Sequence, residues 1–141
     1  MGNVIVKFLL ANLSQRVVIT LLIASVERAQ AAALAQAQPG TEYEAGHAAA
    51  VKTLTEGLLK LGLLKGKLEK NIESGAYRRY YRHKTGHWLG LDVHDVGEYR
   101  LAGESRLLEP GMVFTIEPGL YVSPDDSTVD AKWRGIGIRT E

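Results

Sequence analysis

Apolar and small residues dominate the first third of the chain in a helical rather than an alternating pattern. From about residue 14 to 38 the sequence runs through Ala, Leu, Gln and Arg without a Gly or Pro, which predicts one long helix ended by Pro39-Gly40. Its most apolar stretch, residues 17–26, is interrupted by Thr20 and Ser25 and bounded by Arg16 and Glu27. That run falls short of the ~20 residues a bilayer span requires, so it reads as a buried helix. Glu27 and Arg28, placed before the alanines that follow, also count against a cleaved signal peptide. Thr41 followed by Glu44 has the spacing of a capping box opening a second helix. In that helix Val51, Leu54, Leu58 and Leu61 share one face, while Lys52, Glu56 and Lys60 fall largely elsewhere, and Gly62 marks its end. Residues 65–74 predict a third helix or a turn, and Val4, Ile5 and Val6 near the start suit either a short strand or an unpacked leader.

Past Gly75 the pattern changes. Gly86, Gly90, Gly97, Gly103, Gly111, Gly119, Gly135 and Gly137 punctuate short alternating segments, as strands joined by tight turns require. Helices first and antiparallel-type strands afterwards make the class α+β. Within the strand-rich half, two Pro-Gly pairs bracket a strand on which Met112, Phe114 and Ile116 face one way and Val113, Thr115 and Glu117 the other. By the same alternation Ile136 and Ile138 oppose Gly137, Arg139 and Glu141, so a second strand-borne acid can face Glu117.

Composition narrows the function classes. A chain of 141 residues with 45% hydrophobic and 23% charged residues supports one core, and a net charge of +1 gives no reason to expect nucleic acid as a partner. No membrane association is expected either. Cysteine is absent, so any metal must be held by His, Asp and Glu, a usage that fits the reducing cytoplasm.

The candidate chemistry lies after residue 80. His83, His87 and His94 are grouped, and Glu117 and Glu141 follow. His83 and His87 have the spacing of a helical zinc motif, but Lys84-Thr85-Gly86 and Gly90 exclude a helix there. In an extended chain His87 and His94 would face opposite sides unless Gly90 allows a bend that re-aims one of them. One imidazole with carboxylates is a mixed N/O ligand set suited to Mn²⁺, Co²⁺ or Zn²⁺. The plain alternative is that Glu117 and Glu141 are surface acids, one of them paired with Arg139.

The segment Gly86-His87-Trp88-Leu89-Gly90-Leu91-Asp92-Val93-His94-Asp95-Val96-Gly97 resembles the signature of the Xaa-Pro aminopeptidases and prolidases, the pita-bread metallopeptidases. The likeness continues through Leu108-Glu109-Pro110-Gly111-Met112-Val113, Glu117-Pro118-Gly119-Leu120-Tyr121 and Arg134-Gly135-Ile136-Gly137-Ile138-Arg139, in the order and spacing of that family. Trp88 and the last of these segments make it more similar to the bacterial aminopeptidases than to prolidase. The resemblance implies a partial pita-bread fold over residues 24–141, preceded by an atypical leader at residues 1–23.

It also implies roles. His87, Glu117 and Glu141 match metal ligands. His83 and His94 match histidines that contact substrate and stabilise the reacting carbonyl, and Arg139 and Tyr121 match residues that steady the site. Glu117 would double as the acid–base group. The implied cofactor is a pair of metal ions, typically Mn²⁺ with Co²⁺ or Zn²⁺ as substitutes, and the implied substrate is a peptide with proline at its second position. Two further ligands in the family are aspartates on strands before the long helix, whereas the first aspartate here is Asp92. The expectation is therefore an incomplete, inactive fragment of a metalloaminopeptidase, prone to form a homo-oligomer through exposed strand edges. The alternatives are a prolidase-type dipeptidase and a metal-free binding module.

Overall fold

The computed structural model describes the backbone of residues 4–6 and 13–141, with side chains from residue 15 onward. In chain order the elements are β1 (Val4–Val6), α1 (Leu13–Leu34), α2 (Tyr43–Lys60), α3 (Leu68–Glu73), a 3-10 turn (Ala76–Arg79), β2 (Arg100–Leu101), β3 (Glu104–Ser105), β4 (Gly119–Tyr121), a second 3-10 turn (Ala131–Trp133) and β5 (Gly137–Thr140). Of the two readings left open for Val4, Ile5 and Val6, the short strand is the one formed, as β1; the rest of residues 1–12 lies outside the described residues.

The helices pack because their small and apolar residues fall on facing stripes. Val18, Leu22, Val26, Ala29 and Ala33 of α1 are buried, as are Ala50, Val51, Leu54 and Leu58 of α2. Spacings of three and four put each set on one face. Gly57 permits the close approach, since a Cβ there would sit 2.9 Å from Ser25 Oγ. Helix α1 runs unbroken across residues 23 and 24, and Val18, Ile19 and Leu22 lie in the core. Residues 15–34 reach a mean hydropathy of 1.6, enough by length and composition to cross a bilayer, because the alanines after Glu27 extend the apolar run. One stripe of this helix is nonetheless committed to the core, while Val17, Leu21 and Leu34 face outward.

Helix α2 begins differently from the capping-box expectation. Its N-cap is Glu42, and no side chain caps it. Thr41 and Glu42 are extended and pair with the strand-rich half: Leu108 N–H donates to Thr41 O at 2.8 Å, and Glu42 bridges Leu107. The free amides of the first turn are met from outside the helix, Tyr43 N–H by Arg106 O at 2.8 Å and Glu44 N–H by Ser105 Oγ at 3.1 Å. Leu61 closes the helix and Gly62 follows in a left-handed conformation, φ 74°.

A three-stranded antiparallel sheet of order β1-β5-β4 packs against α1, with Ile138 of β5 opposite Leu120 of β4 and Val6 of β1. Leu120, Ile138, Val122 and Trp133 join the helical core. β2 and β3 form a separate hairpin. The strand expected between the Pro-Gly pairs is realised as a hydrogen-bonded strip. Residues 113–117 run antiparallel to residues 85–89 through Leu89 N–H to Val113 O, Thr115 N–H to His87 O and Glu117 N–H to Thr85 O, at 3.1, 2.9 and 2.6 Å.

Candidate active site

That strip brings His87 and Glu117 together. Glu117 is buried, and its Oε1 lies 3.0 Å from His87 Nε2. His87 Nδ1 is 2.9 Å from Trp88 O. A carbonyl can only accept, so Nδ1 carries a proton; Nε2, turned to the carboxylate, can donate to it from a doubly protonated ring or offer a lone pair to a metal from a neutral one. A divalent ion with ligand bonds of ~2.1 Å places neighbouring donor atoms about 3 Å apart, so the pair fits as two ligands of one ion.

Glu117 Oε2 faces Arg139 Nε at 3.5 Å, and the other arm of Arg139 reaches Glu141 Oε1 at 2.8 Å. Alternation along β5 puts Arg139 and Glu141 on one side, as expected. The guanidinium links the two carboxylates, and Glu141 does not close with His87 and Glu117 into a three-residue cage. Among the described residues no group of three or more His, Asp or Glu is arranged to enclose a metal ion. The residues present thus fit part of a ligand set.

The bend required at Gly90 is present. Gly90 N–H donates to Asp92 O at 3.2 Å and Asp95 N–H to Trp88 O at 3.1 Å, and the Asp95 carboxylate packs against the Gly90 Cα, where a Cβ would overlap it. The chain doubles back and sets the exposed His94 ring beside His87, with centroids 4.2 Å apart. His83 stands on the other flank. Its Nδ1 bonds the Lys84 carbonyl at 2.7 Å, leaving Nε2 to accept from Tyr121 O–H at 3.0 Å. Burial pushes the Tyr121 phenol pKa up, so it stays a donor. Gly119 makes room for that phenol, as a Cβ there would come within 2.8 Å of Tyr121 Oη.

Three further residues matter that sequence reasoning missed. Thr115 Oγ1 is 2.8 Å from Glu117 Oε1, and Thr85 Oγ1 holds both Tyr81 Oη at 2.6 Å and His47 Nδ1 at 2.8 Å. Burial, with Lys84 adding to it, lowers the His47 pKa to about 4. A lone histidine inside a helix gives no signal in sequence; Thr115 did give one, through its shared face with Glu117. Beside the strip a cavity of about 370 Å³ is lined by residues that include His47, Tyr43, His87 and Thr115.

Helices thus back an antiparallel strip that carries a candidate metal site. The chain belongs to metallopeptidase family M24, whose model matches residues 14–141. Within that family it is similar to Xaa-Pro aminopeptidases. The one from Haemophilus influenzae is 46% identical over 116 residues, which cover 82% of this chain and 26% of that protein. The one from Escherichia coli is 50% identical over 104 residues, covering 74% and 23%. Among solved structures, the Pseudomonas aeruginosa aminopeptidase PepP superposes with a TM-score of 0.84 at 50% identity, over 85% of this chain and 27% of that one. A Zn-substituted Escherichia coli aminopeptidase P in complex with product gives 0.76 at 43% identity, over 92% and 28%. The chain therefore spans about a quarter of the length of these relatives. The architecture is a partial pita-bread fold of the α+β class.

Proposed function

We propose that this chain carries part of the catalytic site of an Xaa-Pro aminopeptidase, an enzyme that releases an amino-terminal residue preceding proline. The observation that carries the reading is the facing of His87 Nε2 and Glu117 Oε1 at 3.0 Å, with the imidazole tautomer fixed from behind by Trp88 O. His87, Glu117 and Glu141 would be ligands of divalent ions, Mn²⁺ being the expected metal and Zn²⁺ or Co²⁺ able to stand in. When bound, such ions lower the pKa of coordinated water and stabilise charge on the oxygens of a reacting carbonyl. Glu117, beside His87, would take the proton released from the attacking water. His94, exposed beside His87, would donate to the substrate carbonyl, and His83, held by Lys84 O and Tyr121, would contact the substrate beside it. Arg139 holds Glu117 and Glu141 at a fixed separation. Aspartate ligands supplied by other chain segments would complete the pair of ions, so this chain alone is expected to bind metal without turnover.

Calorimetric titration of the purified chain with Mn²⁺ and with Zn²⁺, beside an assay on an Xaa-Pro peptide, tests this. Binding that His87→Ala and Glu117→Ala abolish supports the reading. Failure of both ions to bind, in a folded chain, would favour a binding module that has no use for metal.

A further inference from the structure

Thr115 occupies an unusual place in the strip. In a regular antiparallel pair, a residue that accepts a bond from its opposite number also donates one back to that residue's carbonyl. His87 O accepts from Thr115 N–H at 2.9 Å, yet His87 N–H donates to Thr115 Oγ1 at 3.0 Å. The Thr115 carbonyl is turned against Gly86, close enough that a Cβ on Gly86 would overlap it. The side-chain hydroxyl has taken over the acceptor's part in the ladder.

A hydroxyl has one proton to give. Two acceptors stand near it, Glu117 Oε1 at 2.8 Å and His87 O at 3.5 Å, and the shorter contact receives the proton. Thr115 thus accepts from the backbone of one candidate ligand and donates to the carboxylate of the other. With Oε1 tethered from below, the plane of Glu117 is set so that Oε1 faces His87 Nε2 and Oε2 faces Arg139.

We propose that Thr115 is a positioning residue of the metal site: its hydroxyl fixes the backbone of His87 and the carboxylate plane of Glu117 relative to each other, before any ion arrives. The proposal rests on the reading of His87 and Glu117 as ligands of a divalent ion. It also accounts for Gly86, which makes space for the carbonyl that the hydroxyl replaces.

The test uses the full chain with Thr115→Val, which keeps the shape and removes the hydroxyl, and Thr115→Ser, which keeps the hydroxyl. Two quantities are read: hydrogen exchange of the His87 amide by NMR without metal, and Zn²⁺ affinity by calorimetry. In the valine variant the His87 amide should exchange at least about tenfold faster while the Thr115 and Glu117 amides hold, and Zn²⁺ affinity should fall about 10–100-fold. Serine should restore both. Unchanged exchange at His87 in the valine variant overturns the proposed hydrogen bond. Faster exchange with undiminished Zn²⁺ affinity overturns the positioning role and leaves a local structural one. If the unaltered chain binds no Zn²⁺, the metal reading itself has failed and the proposal falls with it, an outcome distinguishable from a defect confined to the valine variant. Thr115→Ala reads the same two quantities should the valine chain not fold.

Discussion

Acid should destabilise this fold through His47, a residue outside the proposed ligand set. Its ring is largely enclosed, its Nδ1 lies 2.8 Å from Thr85 Oγ1, and its pKa falls from 6.5 to about 4. Burial is the main cause; Lys84, His83 and Arg78 add to it and Glu44 opposes it. Because the folded-state pKa is depressed, the unfolded chain binds the proton first as pH drops. Stability is complete above about pH 6.5 and is lost as pH falls towards 4. The full shift would correspond to about 3 kcal/mol at 1.36 kcal/mol per pKa unit, and partial exposure of the ring reduces this to roughly 1–2 kcal/mol. Urea unfolding at pH values between 4.5 and 7.5, for the native chain and for His47→Asn, measures it. Asparagine keeps a polar group near Thr85 and cannot titrate. The difference in stability between the two chains should change across this interval by about 1–2 kcal/mol, the native chain losing more on acidification. Parallel profiles would refute the argument, since the other titrating groups are common to both.

Two further outcomes follow from packing. Gly86→Ala drives a methyl into the Thr115 carbonyl and should cost about 1–3 kcal/mol in urea unfolding while weakening Zn²⁺ binding; an unaltered site would show that the strip has room to shift. The exposed side chains of Leu91, Val93 and Val96 form an apolar rim on the segment carrying His94, so the chain should self-associate with concentration in sedimentation experiments, and Leu91→Ser with Val96→Ser should reduce that association.

The helical layer was legible because its signals are local. Pro39-Gly40 and Gly62 punctuate it, and the stripe of Val51, Leu54 and Leu58 is a matter of spacing alone. The capping-box reading of Thr41 and Glu44 failed for the opposite reason: residues 41–42 are claimed by backbone pairing with residues 107–108, a contact that helix chemistry cannot foresee. Alternation placed Glu117 and Thr115 on one face, and parity demanded the bend at Gly90 that brings His94 to His87. The partnership of His47 with Thr85 joins residues 38 positions apart, and no period links them.

Both helices reach the strip at the point where the candidate ligands sit. From α1, Gln30 Nε2 donates to Ile116 O at 3.1 Å; from α2, His47 holds Thr85, whose carbonyl accepts the Glu117 amide at 2.6 Å. Displacing Glu117 would therefore disturb bonds anchored in the α1–α2 core, and its local opening should cost nearly as much as global unfolding. His94 is tied down far less, on an exposed turn organised by the Asp95 carboxylate, which accepts from Leu91 and Val96 N–H at 3.2 and 2.9 Å. The division suits the proposed roles. Ion ligands must keep their spacing whatever is bound, whereas a group that follows a reacting carbonyl must be free to adjust to it.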